Sequence, residues 1–167
     1  MKVYIVNGMP GSGKTTFEDC CANHIHPKGC HILSTIDCVK EIAKTCGWDG
    51  RKDDKSRKFL SDLKDLLTNY NNLPFKVISK KVGDIARDDP ESAVFIDCRE
   101  PNEIDKLRET FNAKTILIRR ESVENEVWSN HADTEVFNYN YDYIIENNGS
   151  MLDLIYAVEA FLIEEKW

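Results

Sequence analysis

Residues 8–15 constrain the fold more than any other part of the chain. They match the pattern G-x-x-x-x-G-K-[ST] in full, at the point where a short β-rich run over residues 2–7 leads into a helix-compatible segment from Lys14 to about His26. Glycines let such a loop curl so that its N–H groups point at phosphate oxygens, and the helix start adds partial positive charge. The alternative is a glycine-rich turn that only joins strand to helix. The residues predicted to bind phosphate are Gly8, Met9, Pro10, Gly11, Ser12, Gly13, Lys14, Thr15 and Thr16.

A carboxylate far along the chain complements this loop. Asp97 closes the continuous apolar run of residues 93–96, which predicts a strand buried on both faces of a parallel sheet. In a loop of this type Lys14 reaches the β- and γ-phosphates of ATP, while Thr15 and a carboxylate such as Asp97 hold Mg²⁺. Asp97 has a second interpretation as a helix cap, because Pro101 can start a helix four residues later. A cap does not explain the apolar run before it.

Strand and helix patterns alternate over the rest of the chain. Further strands are predicted at residues 31–34, 115–118 and 143–145, with helices between them and no internal repeat or linker. The alternation predicts one domain with a doubly wound α/β sheet.

Five helices and one further strand edge are predicted from apolar spacing and from residues typical of helix starts. Helices are expected from Asp37 to about Cys46, over residues 54–71, from Pro74, and from Pro101 to about Phe111. A last helix begins with a capping box at Ser150 and Asp153 and is expected to bury Met151. The alternating aromatic residues predict a half-buried strand edge; they are Phe137, Tyr139, Tyr141 and Tyr143.

Composition limits the classes of partner. The chain has 167 residues, 41% of them hydrophobic and 31% charged, and its net charge of −7 disfavours general binding to nucleic acid. No apolar run approaches the roughly 18 residues of a membrane helix, so we expect a cytoplasmic protein that binds no membrane. Any phosphate site must therefore be local.

The six cysteines are expected to be free thiols, since no C-x-x-C pair or secretory context occurs. Residues 20–31 contain three of them together with three histidines. Either this cluster binds zinc, or a helix packs its small thiols inward and ends before Pro27.

Several nucleotide-dependent classes are excluded by missing motifs. The chain has no N-K-x-D for guanine recognition, and residues 97–100 read D-C-R-E instead of D-x-x-G, which excludes a regulatory GTPase. A helicase or AAA-type motor would usually carry an acidic pair where Asp97 is followed by Cys98. Small-molecule phosphoryl transfer remains.

Three segments together resemble the P-loop nucleoside monophosphate kinases, and more closely the small phage-type deoxynucleoside monophosphate kinases and the dephospho-coenzyme A kinases. They are residues 8–15; residues 97–103 (DCREPNE), similar to the family's D-x-R-x-x-N-E segment; and residues 142–149 (DYIIENNG), similar to its last strand and adenine-side loop. The resemblance spans nearly the whole chain. It implies the three-layer P-loop NTPase fold, an α/β fold with a five-stranded parallel sheet in the order 2-3-1-4-5 and helices on both faces.

The resemblance also implies a lid over about residues 119–141 that supplies catalytic arginines, Arg119 and Arg120, to the transferred phosphoryl group. The other interpretation of these two arginines is a solvated basic strand end. Residues 129–135 are similar to a D-H-x-S-E lid pattern but depart from it at Asn130 and Asp133. No role is therefore assigned to His131 or Glu135.

By the same resemblance, a helical segment over about residues 37–90 binds the acceptor. Arg57, Arg99 and Arg51 are the candidates for holding its phosphate, because a guanidinium can align a phosphate through two hydrogen bonds. For Arg51 and Arg57, ordinary surface charge is the alternative. Asp37 is a candidate contact to an acceptor sugar or base, with a helix cap as its alternative.

The sequence therefore predicts an ATP- and Mg²⁺-dependent kinase that converts a nucleoside or deoxynucleoside monophosphate to the diphosphate. Two alternatives remain open. One is a P-loop kinase of another small metabolite, either dephospho-coenzyme A or a hydroxyl acceptor. The other is a non-catalytic regulator that binds ATP or ADP. The sequence leaves open whether the protein is a monomer or a dimer.

Overall fold

A computed structural model describes residues 1–124 and 136–167 of the chain. Five strands and seven helices lie within these residues. The strands are β1 (Lys2–Asn7), β2 (Cys30–Ser34), β3 (Ala93–Asp97), β4 (Lys114–Arg119) and β5 (Tyr143–Glu146). The helices are α1 (Lys14–Ile25), α2 (Asp37–Thr45), α3 (Asp54–Asn71), α4 (Leu73–Asp88), α5 (Pro101–Phe111), the short α6 (Glu121–Glu124) and α7 (Met151–Glu164).

The strands form one parallel sheet in the order β2-β3-β1-β4-β5. The predicted order 2-3-1-4-5 is therefore confirmed. In the registers, Val6 of β1 and Ser34 of β2 both lie opposite Asp97 of β3. Because parallel strands end at the same edge, the loops after β1, β2 and β3 meet there.

The two faces of the sheet carry two apolar layers. Tyr4, Val6 and Phe95 pack on one face against α1 and α7, where Phe17 and Phe161 are buried. On the other face, residues of β1 and β3 pack against α4 and α5; the buried members from the two helices are Ile78, Val82, Ile104 and Leu107. Each such large side chain contributes about 1.5–3 kcal/mol through burial, which fixes the sheet and its loops.

The cluster at residues 20–31 packs as the thiol-burying helix. Cys20 and Cys21, both on α1, are buried in the core, and the helix ends at Ile25. His24 Nδ1 lies 2.8 Å from the backbone oxygen of Cys20, and all six cysteines are free thiols. No group of three His, Cys, Asp or Glu residues placed to hold a metal occurs within residues 1–124 and 136–167.

Helix α3 is packed on one side only. No residue of it is fully buried, and Phe59, Leu66 and Tyr70 are exposed. Its neighbours are α2 and α4, with which it forms a helical layer beside the sheet edge. In the part of the chain that the structure describes, no helix combines the length and apolar character needed to cross a bilayer.

Two local predictions were wrong, and the helix-cap alternative for two other residues does not hold. Met151 is 52% exposed, because the capping box at Ser150 places the first turn of α7 outside the core. Phe137 lies in a 3₁₀ turn (Val136–Asn138), so the aromatic alternation builds no strand edge before β5. Finally, Ile36 and Glu100 hold the cap positions of α2 and α5, so neither Asp37 nor Asp97 is a helix cap.

The hydroxyl groups of Tyr139 and Tyr141 form hydrogen bonds instead. Tyr139 donates to Asp105 Oδ1 at 2.7 Å, and Tyr141 donates to the Val136 carbonyl at 2.8 Å. Tyr141 also accepts from Asn7 Nδ2 at 2.8 Å. These bonds hold the segment before β5 against the end of β1.

Candidate active site

The glycine-rich loop packs too closely for larger residues at two positions. Gly13, at the cap of α1, has φ 98°, and a Cβ there would lie 2.3 Å from Asn147 Nδ2. A Cβ on Gly8 would lie 2.5 Å from the Ile118 carbonyl oxygen. Asn147, after β5, donates to the Ser12 carbonyl at 2.8 Å. The loop is therefore fixed between the ends of β4 and β5.

Lys14 reaches back over this loop from the first turn of α1. Its ammonium donates to the carbonyl oxygens of Gly8 and Met9 at 2.8 and 3.0 Å. These contacts hold a positive charge against the start of the loop. Phosphate oxygens bound by the backbone amides of the loop would lie within reach of the same ammonium.

Asp97 and Thr15 supply oxygen atoms beside Lys14. Both residues line one cavity, and Asp97 Oδ1 is buried with no hydrogen-bond partner among residues 1–124 and 136–167. Burial raises the pKa of Asp97, while the charges of Lys14 and Arg99 act against that rise. A carboxylate and a hydroxyl are ligands that Mg²⁺ prefers, and a cation would stabilise the unpaired oxygen. The residues present therefore fit a magnesium ion.

A second buried carboxylate lies behind these groups. Glu18 is on α1 and only 1% exposed, and its Oε1 has no hydrogen-bond partner within the described residues. Burial, reinforced by the charge of Asp97, raises the pKa of Glu18 from 4.5 to about 8. Glu18 cannot be singled out from the sequence, because the spacing of residues along a helix does not reveal which of its charged side chains a neighbouring loop covers.

We expect Glu18 to make the protein less stable as the pH rises. The folded state keeps the Glu18 proton up to about pH 8, whereas the unfolded chain releases it near pH 4.5. The free energy of unfolding therefore falls through that window. Glu18→Gln removes the carboxyl group that titrates. Its free energy of unfolding, relative to that of the unsubstituted protein, should therefore rise by more than about 1 kcal/mol between pH 5 and pH 8.

Urea denaturation at both pH values measures this difference. Glu109→Gln, at an exposed position on α5, is the matched control and should show no such change with pH. The raised pKa of Glu18 would be contradicted if Glu18→Gln and the unsubstituted protein differed in free energy of unfolding by the same amount at both pH values.

The cavity that adjoins the loop has a volume of about 530 Å³. It lies over the ends of β2 and β3 and is closed on the far side by α3 and the turn before it. Among the described residues that line it, seven are basic and two are acidic. The basic ones are Lys14, Lys40, Arg51, Lys52, Arg57, Lys64 and Arg99, and the acidic ones are Asp97 and Glu100.

The structure brings three predicted acceptor residues into this cavity and leaves one outside it. Arg51, Arg57 and Arg99 all line the wall. Arg51 also pairs with Asp49 at 2.8 Å. Asp37 is not among the lining residues, and its carboxylate lies 3.6 Å from Lys40 Nζ.

Lys64 and Trp48 are two of the lining residues that the sequence reasoning missed. Lys64 follows Arg57 by two helical turns, and with Leu60 and Ser61 the two residues form the stripe of α3 that faces the cavity. Spacing from Arg57 could have identified this stripe. Trp48 also lines the wall, with its Nε1 buried and without a hydrogen-bond partner in the described part of the chain. The sequence indicates a turn at residues 47–50 and does not single out Trp48.

Arg119 and Arg120 do not line this cavity. Arg119 donates to both carboxylate oxygens of Glu124 at 2.9 Å, which raises the pKa of its guanidinium, and Arg120 is exposed. The lid pattern with His131 and Glu135 lies outside the described residues, so the lid and its arginines stay predictions.

Comparison with known proteins supports the fold. A gluconokinase from Sinorhizobium meliloti has a TM-score of 0.54 and 13% sequence identity, with 98% of this chain and 93% of that chain covered. An APS kinase from Mycobacterium tuberculosis has a TM-score of 0.52 at 12% identity, covering 97% and 96%. A thymidylate kinase from Ehrlichia chaffeensis has a TM-score of 0.50 at 13% identity, covering 99% and 98%.

The protein has the α/β P-loop NTPase fold. The five-stranded parallel sheet, its strand order and the helices on both faces agree with these similar structures over nearly the whole chain. No protein-family model matches the sequence, and no curated protein matches it either. At such low identity the similarity extends to the fold alone, so the acceptor has to be argued from the cavity.

Proposed function

We propose that the protein transfers a phosphoryl group from ATP to a nucleoside or deoxynucleoside monophosphate and so forms the diphosphate. The observation that carries this proposal is the charge of the cavity beside the P-loop. Its lining has seven basic and two acidic side chains among the described residues, in a chain whose net charge is −7. Such a local reversal of sign favours an acceptor that is itself an anion.

The donor would bind at the P-loop. Backbone amides of residues 8–15 and the Lys14 ammonium would surround the β- and γ-phosphates. Thr15 and Asp97 would hold Mg²⁺, which neutralises charge on the phosphates when it is bound. We further propose that Arg119 or Arg120 reaches the transferred group from the segment up to residue 141, which requires Arg119 to leave Glu124.

The acceptor would bind between the P-loop and α3. Arg57 and Arg99 line the cavity from opposite elements, the acceptor-side helix and the loop after β3. Guanidinium groups on both sides can align a phosphate monoester for in-line attack. No general base is needed, because a phosphate oxygen is already ionised at neutral pH.

A hydroxyl acceptor is less well supported. A hydroxyl group gains from a general base, and Asp37, the carboxylate predicted to contact the acceptor, is not among the residues that line the cavity and pairs with Lys40. The similar solved structures include both a gluconokinase and a thymidylate kinase, so the fold accommodates either chemistry. The cationic wall is what favours the phosphate acceptor.

The proposal is tested by ADP formation from Mg-ATP against eight ribo- and deoxyribonucleoside monophosphates and dephospho-coenzyme A. We expect turnover with at least one monophosphate, none without an acceptor, and its loss when Mg²⁺ is chelated. Turnover with dephospho-coenzyme A alone would replace the proposed acceptor with that metabolite. Binding of ATP without turnover on any acceptor of this panel would reject the proposed function and favour either a kinase of another small metabolite or the nucleotide-binding regulator.

A further inference from the structure

Lys64 is held by an ion pair at the wall of the acceptor cavity. Its Nζ lies 2.6 Å from Glu103 Oε2, and the two side chains are only 12% and 11% exposed. Glu103 is in the first turn of α5, so the pair joins α3 to the segment that follows β3. Cys98 Sγ lies 3.5 Å from the same Glu103 oxygen.

This ion pair does not use the full hydrogen-bonding capacity of Lys64. An ammonium group has three N–H donors, and within residues 1–124 and 136–167 Lys64 makes one hydrogen bond, to Glu103. Its small exposed fraction limits how much water can serve the other two. Because Lys64 also lines the cavity, an oxygen atom of a bound molecule could accept from it.

Glu103 is suited to keep this ammonium in place. Its Oε2 accepts from Lys64, and its Oε1 is buried without a partner in the described part of the chain. The surface pairs of α3 are different, because Lys58 and Asp62 are 76% and 62% exposed. An exposed pair exchanges freely with water, whereas a nearly buried one keeps its geometry.

We propose that Lys64 binds an oxygen atom of the acceptor, and that Glu103 is the positioning residue that holds Lys64 for this contact. The inference rests on the proposed function, since it assigns a residue to the acceptor side of that reaction. The oxygen belongs either to the acceptor phosphate or to a carbonyl group of its base. A hydrogen bond from a partly desolvated ammonium would serve either one.

The test measures binding by calorimetry, separately for ATP and for the monophosphate panel. Lys64→Met should weaken binding of the accepted monophosphate by about tenfold to a hundredfold and leave ATP affinity within about twofold. Lys58→Met, at an exposed position on the same helix, should change neither. The double variant that combines Lys64→Met with Glu103→Gln removes both charges and leaves no buried carboxylate unpaired. It should show the same selective loss of acceptor affinity.

Glu103 is tested through the conservative variant. Glu103→Gln keeps an oxygen that can accept from Lys64, so it should retain most of the acceptor affinity that Glu103→Leu loses. In kinetics, Glu103→Leu should raise the KM for the acceptor more than it lowers kcat. If Glu103 acted only on folding, the melting temperature would fall with no selective change in acceptor KM, which would overturn its positioning role.

The two possible oxygen sources are distinguished by comparing the affinities for ribose 5-phosphate and for monophosphates with different bases. If Lys64 contacts the phosphate, its loss weakens every monophosphate that binds and ribose 5-phosphate equally. If it contacts a base carbonyl, the binding of monophosphates with guanine, cytosine, thymine or uracil is affected, whereas that of adenine monophosphates and ribose 5-phosphate, which lack such a carbonyl, is not. Unchanged acceptor affinity in both Lys64 variants would overturn the inference while leaving the proposed function intact, whereas failure of the unsubstituted protein to bind any monophosphate would overturn both.

Discussion

Lys14→Ala is expected to reduce phosphoryl transfer by about a hundredfold to a thousandfold. The Lys14 ammonium donates to the carbonyl oxygens of Gly8 and Met9 at 2.8 and 3.0 Å, which holds its charge against the start of the loop. As the phosphoryl group transfers, charge spreads over its oxygens, and a fixed cation in a site shielded from water stabilises that charge strongly. The measurement is ADP formation with the best acceptor of the monophosphate panel.

Lys80→Ala is the matched control for this prediction. Lys80 is on α4, its side chain is 79% exposed, and it pairs with Asp84 at the surface. Its replacement should leave kcat within about twofold, as exposed ion pairs contribute little. Melting temperatures of both variants would separate lost chemistry from lost structure. If the Lys14→Ala variant folds and turns over as fast as the unsubstituted protein, the P-loop is excluded as the donor site.

The P-loop, Asp97 and the sheet could be predicted because their signals are local. The loop pattern fixes a strand before Gly8 and a helix from Lys14, and the apolar run ending in Asp97 is typical of a buried parallel strand. The strand order itself came from the family resemblance. Local patterns therefore give the elements, whereas their neighbours in the sheet depend on contacts distant in sequence.

Burial of single charged residues could not be predicted in the same way. Glu18 and Lys64 each lie on a helix among other charged residues, and the sequence alone does not distinguish them from the exposed ones. Glu18 is buried because the strand end carrying Asp97 and the P-loop cover that face of α1. Lys64 is buried because α5 brings Glu103 to it across 39 positions of the chain. Both facts depend on tertiary packing.

The strand prediction for the aromatic segment was wrong for a related reason. Alternation of Phe137, Tyr139 and Tyr141 is the spacing of a half-buried strand. However, the Tyr139 hydroxyl donates to Asp105, and the Tyr141 hydroxyl accepts from Asn7. Hydrogen bonds to distant partners thus override a weak local preference. A similar competition explains why only three of the four predicted acceptor residues line the cavity, since Asp37 follows β2 but pairs with Lys40 and is not part of the lining.

The largest effect on stability is expected at Glu165, which joins the sheet to the residues after α7. Its carboxylate is buried and accepts from Tyr4 at 2.8 Å, from Lys114 at 2.6 Å and from the Tyr143 hydroxyl. Trp167 Nε1 donates to the Tyr4 hydroxyl at 2.8 Å and extends the network. Three strands of the sheet, β1, β4 and β5, are thereby tied to one side chain.

Glu165→Ala should lower the free energy of unfolding by about 2–3 kcal/mol at pH 7, because it removes charge-assisted bonds and leaves the buried Tyr4 hydroxyl without its acceptor. Urea denaturation measures this loss. Glu164→Ala is the adjacent control; Glu164 is exposed and accepts one longer bond, of 3.3 Å, from Tyr143, so its replacement should cost less than about 0.5 kcal/mol. Equal losses in the two variants would contradict the role of the buried network.

The pH dependence of the Glu165 variant gives this prediction a second, independent readout. Burial acts to raise the pKa of Glu165, but hydrogen bonds from Lys114, Tyr143 and Tyr4 outweigh it and hold the pKa below the ordinary value of 4.5. The stabilisation is therefore fully present above about pH 4.5 and is lost as the pH falls through the lower folded-state pKa. The difference in unfolding free energy between the unsubstituted protein and Glu165→Ala should accordingly shrink below pH 4.5. A difference that stays constant from pH 7 to pH 3 would mean that Glu165 stabilises the fold by packing alone, without its charge.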